Sequence, residues 1–220
     1  MEKDICPKCN GSSVKCGFQN NVQRYLCKNC NKKFQASYTY NAYQTNINSF
    51  ISTLIKEGCG IRSISRILKI SKNTVLSKII YISNFVKPKP FVKLGCKFEI
   101  DEIWTFIGCK NNMTWITYII ERESKSVIDF FVGSKTKENI KPLIEKVLML
   151  YPKTIFTDKL NVYPSIIPKE IHKRFQYCTN IIERNNLTIR THVKRLSRRT
   201  ICFSKSVVIL NAILKIYFWF

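Results

Sequence analysis

Acidic residues are scarce in this chain: 14 Asp and Glu stand against 37 Lys and Arg, a formal charge of +23 over 220 residues. Beyond Glu183 there is no acid at all, while Arg184, Arg190, Lys194, Arg195, Arg198, Arg199, Lys205 and Lys215 follow. So large a positive excess opposes compaction unless a polyanion neutralises it, which makes nucleic acid the expected partner. A basic ribosome- or membrane-associated protein is the plain alternative. No apolar run approaches the ~20 residues of a membrane-spanning helix, so no membrane partner is expected. The first residues, Met1-Glu2-Lys3-Asp4, are no signal peptide. Disorder is also disfavoured, because the hydrophobic fraction is an ordinary 45%. Ten cysteines without a secretory signal point to a reducing, cytoplasmic compartment where thiols hold metal or pack.

Three segments follow one another, giving an expected multidomain α+β/α/β protein. In the first, about 1–40, Cys6-Pro7-Lys8-Cys9 and Cys27-Lys28-Asn29-Cys30 form two C-x-x-C knuckles separated by 17 residues. Each knuckle aims two thiolates at one centre, and the spacer is long enough for a hairpin. The pattern suits tetrahedral zinc, and a piece this small needs the metal to fold. Four unrelated thiols or a redox pair are the bland alternative. Cys16 is read as a bystander.

The second segment, 45–86, is expected to be a helix-turn-helix domain. Phe50, Leu54 and Ile55 form one apolar stripe ended by Gly58 and Gly60; Ile61, Ile64, Ile67 and Leu68 form another. Ser71 can cap a third helix carrying Val75, Leu76, Ile79 and Ile80 inward. Lys72, Asn73, Thr74, Ser77 and Lys78 then face outward, with Arg62 on the preceding helix. These are phosphate-touching and groove-reading types. A plain three-helix linker bundle is the alternative. A stiff basic linker, 87–97, begins with two X-Pro steps.

The third segment, 98–220, reads as strands at 98–107, 115–120 and 127–132, a helix from about 134 to 150, then a short strand at 154–157. Three hairpin-linked strands, a crossover helix and a fourth strand are the order of a ribonuclease-H-like mixed sheet. The first and fourth strands are then parallel neighbours, so Asp101 and Asp158 converge. Glu183 starts a helical pattern, with Ile182, Ile189, Val193 and Leu196 at near-helical spacing, and a basic helix from Arg184 to Lys205 is expected along DNA phosphates. Arg190 lies two turns beyond Glu183 on the same face. Phosphodiester cleavage needs an activated water or hydroxyl, a stabilised leaving oxygen and relief of phosphate charge. Two Mg²⁺ held by carboxylates provide all three. Singly, each acid has an ordinary reading: Asp158 as a turn residue, Glu183 as a helix-start acid, Asp101 as a strand-edge carboxylate with Glu102 as the ligand instead.

At these residues the chain resembles transposases of the insertion-sequence-one family. The likeness runs through Arg24-Tyr25-Leu26-Cys27, Gly58-Cys59-Gly60-Ile61-Arg62, Asn73-Thr74-Val75-Leu76, and Asp101-Glu102-Ile103-Trp104-Thr105-Phe106-Ile107-Gly108. It continues in Thr157-Asp158, in 182–190, and in 195–206. The resemblance implies a DDE transposase with Asp101, Asp158 and Glu183 as catalytic acids holding Mg²⁺ or Mn²⁺, and selects Asp101 over Glu102. It implies a zinc and helix-turn-helix part that binds terminal inverted repeats, 3′-end nicking, joining to target DNA, and at least a homodimer, in a prokaryotic, nucleoid-associated setting. A decayed copy acting as a repressor and a nuclease on the same fold are the rival functions. The chain departs from the family pattern at Lys159, Phe175, Gln176, Val208, Leu210 and Asn211, while His172 is kept.

Overall fold

A computed structural model of the chain describes residues 5–19, 21–35, 40–88, 90–175, 178–199 and 201–220. Gln176, Lys89 of the linker and Thr200 of the basic motif lie outside these residues. Two compact units result, 1–45 and 46–220.

The first unit is a three-stranded antiparallel sheet in the order β1 (Ser13–Gln19), β2 (Val22–Cys27), β3 (Lys33–Gln35). Its buried core is only Cys6, Cys27 and Phe34, with Tyr25 and Cys30 packed against it. Burial this small cannot offset the ordering entropy of some forty residues.

In the second unit three helices come first: α1 (Ile47–Lys56), α2 (Ile61–Leu68) and α3 (Lys72–Phe85). Gly58 ends α1 at φ 75°, and a Cβ there would lie 2.6 Å from the His192 carbonyl oxygen, so both conformation and space require glycine. Ser71 caps α3, its Oγ accepting from the Thr74 amide at 3.0 Å. The buried face of α1 is Ile47, Ile51 and Ile55, a straight i, i+4, i+8 row. Phe50, Ile67 and Ile80, expected inward, are 52%, 55% and 37% exposed. The core seam takes one residue per turn from each helix, Ile64 on α2 and Val75, Ile79 and Ile82 on α3, which leaves their apolar neighbours outside.

The sheet that follows contains β4 (Lys97–Phe106), β5 (Met113–Glu121), β6 (Val127–Gly133), β7 (Thr154–Thr157) and β8 (His172–Lys173), in the order β6-β5-β4-β7-β8. β4, β5 and β6 are antiparallel; α4 (Lys137–Leu148) crosses over, and β7 returns parallel to β4. This mixed sheet has the strand order expected from the sequence, with the two-residue β8 added at the edge. One face buries Phe98, Ile100 and Ile119 under Ile140, Leu143, Ile144 and Val147 of α4. The opposite face meets α5 (Asn180–His192) and α6 (Val207–Trp219); Tyr118 and Phe130 pack on Phe218, and Trp219 Nε1 donates to the Val127 carbonyl at 3.1 Å. α6 also packs against α1 and α3.

The basic stretch from Arg184 to Lys205 is not one helix. α5 stops at His192, and a single 3-10 turn at Lys194–Leu196 follows. Side chains satisfy the groups at this end: Ser197 Oγ donates to the Arg190 carbonyl at 2.9 Å, and Arg190 donates to the Leu196 carbonyl at 2.8 Å. Ser204 then bridges to Ile107, just past β4. No helix among the described residues is long and apolar enough to cross a membrane.

Candidate active site and thiolate cluster

The two cysteine knuckles are built alike. Cys6 accepts from the Asn10 amide and donates to the Gly11 carbonyl through its backbone; Cys27 does the same with Asn31 and Lys32. Asn10 and Asn31 turn the chain at φ 53° and 55°. Amides of Lys8 and Asn29 approach the Cys6 and Cys27 sulfurs at 3.4 Å each. Across the pair, Cys6 and Cys30 sulfurs lie 3.7 Å apart and those of Cys9 and Cys27 3.5 Å, all four within 4.8 Å of one another. The Cys30 backbone amide foremost draws the Cys27 thiol down to about 6, which favours the thiolate a metal takes. Four soft donors converging where almost no apolar core exists fit a structural zinc.

The carboxylates meet midway along β4, where its parallel pairing with β7 ends. Register pairs Ile100 with Thr157, so the next residues, Asp101 and Asp158, lie side by side. Oxygens of Asp101, Glu102 and Asp158 all lie within 4.8 Å of one another. Burial, with the Asp158 charge added, pushes Asp101 up to about 6; burial pushes Glu102 up to about 7, again with Asp158 and Asp101 adding to it. Hard oxygen donors that repel one another unless a cation joins them suit Mg²⁺ or Mn²⁺.

Each acid is held from a different side. Asn186 on α5 donates to Asp101 Oδ2 at 2.6 Å, and Asn186 Oδ1 accepts from the buried Tyr118 hydroxyl at 2.6 Å. Glu102 accepts from the Tyr163 hydroxyl, below the α4 face. Asp158 Oδ1 accepts from the Leu160 amide at 2.9 Å. Beneath Asp158, Thr157 Oγ1 and His172 Nε2 lie 2.7 Å apart.

Glu183 sits in the first turn of α5, exposed, accepting from Thr179 Oγ1 at 2.9 Å. It is outside the cluster of three, although its charge still bears on Asp101. Arg190 is half-buried, and burial followed by the Arg198 charge lowers its pKa, while its guanidinium holds the Leu196 carbonyl. Of the other cations expected at DNA, Arg184, Lys194, Arg198 and Arg199 are exposed, whereas Arg195 is half-buried and donates to Ser204 Oγ at 3.1 Å. On the helices, Arg62, Lys72, Asn73 and Ser77 are exposed. Thr74 lies 2.8 Å from Ser71 Oγ, and Lys78 reaches Asn48 Oδ1 at 3.2 Å.

Sequence reading missed three supporting groups. Tyr163 gave no signal. Asn186 lay within the quoted motif 182–190 without a role. Glu99, fully buried, accepts from the Ile182 amide at 2.8 Å and stands 2.8 Å from Arg122 Nε, fastening the first turn of α5 to the sheet. An acid at an inward position of a strand, two residues before Asp101, was the available clue.

Residues 94–219, which contain all three carboxylates of the cluster, match the model of the IS1 transposase family. The iso-IS1n protein InsB of Shigella dysenteriae is 37% identical over 111 residues, covering 50% of this chain and 85% of that protein. The IS1 protein InsB of Shigella flexneri is 29% identical over 119 residues, covering 54% and 91%. Among solved structures, a chain of a simian T-cell lymphotropic virus intasome is 13% identical at TM-score 0.38, covering 76% of this chain and 66% of that one. The HTLV-2 integrase catalytic core solved with magnesium is 16% identical at TM-score 0.36, covering 58% and 86%. With more than half of its length inside the family match, the chain belongs to the IS1 transposase family.

Proposed function

We propose that this chain is a DNA transposase that binds the inverted-repeat ends of its insertion element, nicks their 3′ ends and joins them to target DNA. The observation that carries the reading is the convergence of Asp101 and Asp158 just past the last pair of the β4–β7 ladder, inside the span matched by the family. Asp101, Asp158 and Glu183 are the proposed ligands of Mg²⁺ or Mn²⁺, with Glu102 beside them. The bound cations would supply Lewis-acid stabilisation of the phosphate and an activated oxygen nucleophile. The chain's own part is to hold the acids: Asn186 orients Asp101, Tyr163 orients Glu102, and Glu99 holds the start of α5, from which Glu183 projects.

Cys6, Cys9, Cys27 and Cys30 are the proposed zinc ligands, and the first unit with α2 and α3 is the proposed reader of the repeats. The segments 1–40, 45–86 and 98–220, joined by 87–97, are the proposed functional divisions. Arg190 is proposed to neutralise phosphate beside the metals, and Arg62, Lys72, Asn73, Ser77, Arg184, Lys194, Arg198 and Arg199 to touch DNA. Two ends brought together imply at least a homodimer, working on the nucleoid in a bacterial cytoplasm.

A strand-transfer assay with the element's own end DNA and Mg²⁺ tests this. Wild type is expected to give joined products, and Asp101→Asn, Asp158→Asn and Glu183→Gln to lose them by at least about a hundredfold. Full joining by all three variants would overturn the reading. Tight end binding without cleavage by wild type would make the chain a repressor instead.

A further inference from the structure

Alternate residues of a strand share a face, so Glu102, Trp104 and Phe106 lie on one side of β4. Nearer the start of the strand that side is covered by α4, over Phe98 and Ile100. Past Glu102 the cover ends, and what continues is aromatic. Trp104 is 37% exposed, its ring centroid 5.8 Å from that of Phe106, and Phe203 extends the row at 5.3 Å from Phe106.

Trp115 of β5 is the register partner of Trp104, and Lys135 Nζ lies 5.2 Å from the centre of its ring. The Lys135 charge also acts on Glu102, so the cation over the Trp115 ring is felt at the carboxylates too. On β6, Gly133 is the register partner of Trp115, and the Phe131 ring fills the space over it, where an added Cβ would come within 2.6 Å of that ring.

We propose that Trp104, Trp115 and Lys135 form a stacking site for an unpaired nucleotide of the DNA end, next to the phosphate held at the carboxylates. The inference rests on the transposase reading above. Two residues of strand advance ~7 Å, about two base steps of 3.4 Å, so a nucleotide within about two steps of the reacting phosphate reaches Trp104. Only an exposed base offers an aromatic side chain its π-face; a base within a duplex is already stacked on both sides. Lys135 suits the intervening phosphate, and the net charge of +23 suits the strand as a whole. A second copy of the chain is a poorer occupant, because so few residues fall far short of the ~800 Å² per partner that a stable protein interface buries.

The test uses the full chain and two DNA probes with 2-aminopurine at the 3′-terminal nucleotide, one blunt and one with its last three pairs unpaired. Calcium replaces magnesium so that nothing is cleaved. Wild type is expected to quench the unpaired probe several-fold more than the blunt one. Trp104→Leu keeps apolar bulk without a flat ring; it is expected to abolish that quenching and to weaken binding of the unpaired probe on the order of tenfold. Binding of the blunt probe and the melting temperature should stay near wild type. Trp104→Phe should restore part of the quenching. Equal quenching by wild type and Trp104→Leu, or no preference for the unpaired end, overturns the proposal. So does a change confined to oligomeric state on sedimentation, which would make the face a contact between copies. Strand transfer by wild type without this quenching rejects the stacking site alone; quenching without strand transfer rejects the catalytic reading alone.

Discussion

Asp101 and Glu102 are neighbours in sequence whose side chains leave opposite faces of β4, yet both reach Asp158 because it stands just past the end of β7, where the pairing with β4 stops. Adjacent acids of this kind look interchangeable in a sequence, and only their partners separate them: Asn186 for Asp101, Tyr163 for Glu102. Their titration has a definite sign. Held up to about 6 and about 7, the two carboxyls keep protons that ordinary carboxylates lose near pH 4. From about pH 4 to 7 the folded, metal-free chain therefore binds more protons than the unfolded one, and this pair makes stability fall as pH rises through that window. A divalent cation must displace the same protons, so its affinity should climb as pH passes from about 5.5 to 7.5. Calorimetric Mn²⁺ titrations across that range check this, and Glu102→Gln should shift the rise to lower pH. An affinity independent of pH would show that the two acids do not take part in holding the metal.

At the scale of elements, α5 is the piece that depends most on distant residues. Glu99 accepts from the amides of its first turn and pairs with Arg122, whose guanidinium stacks over the Phe156 ring at 4.3 Å. Glu99→Ala leaves that cation and those amides without their partner, an expected loss on the order of 3 kcal/mol. Glu99→Gln keeps an acceptor and should lose less. Urea midpoints measure both, and hydrogen exchange at Ile182 should speed up selectively in the Ala variant. Equal midpoints for wild type and Glu99→Ala would remove the anchoring role. The strand order around Asp101 and Asp158 was legible in the sequence because apolar strands and turn residues alternate cleanly from 98 to 157. The end of α5 was not. Val193 and Leu196 continue the helical spacing and are both buried, but the chain turns because Ser197 and Arg190 satisfy backbone carbonyls near the helix end, a tertiary event that periodicity does not register. Phe50, Ile67 and Ile80 show the same limit: an apolar stripe is visible, while the side of it that meets a neighbour is not.

For the whole molecule, charge is the dominant property, and the fold sorts its cations into two kinds. Arg195 is half-buried and engaged with Ser204, and Arg190 is engaged with the Leu196 carbonyl, so both contribute to shape as well as to field. Arg198 and Arg199 are exposed, in a stretch that holds no acid. Composition alone would make every Arg after Glu183 an equal candidate for phosphate. The difference can be measured. Each cation that contacts phosphate releases counterions, so neutralising it lowers the slope of log affinity against log salt by about one unit. Arg198→Gln and Arg199→Gln should each flatten the slope by about that amount without altering the melting temperature. Arg195→Gln should instead lower the melting temperature, because it removes the side chain that ties the 3-10 turn to Ser204, and change the slope less. A slope unchanged by Arg198→Gln and Arg199→Gln together would mean that DNA does not follow this stretch, and would leave the exposed cations of α2 and α3 as the principal phosphate contacts.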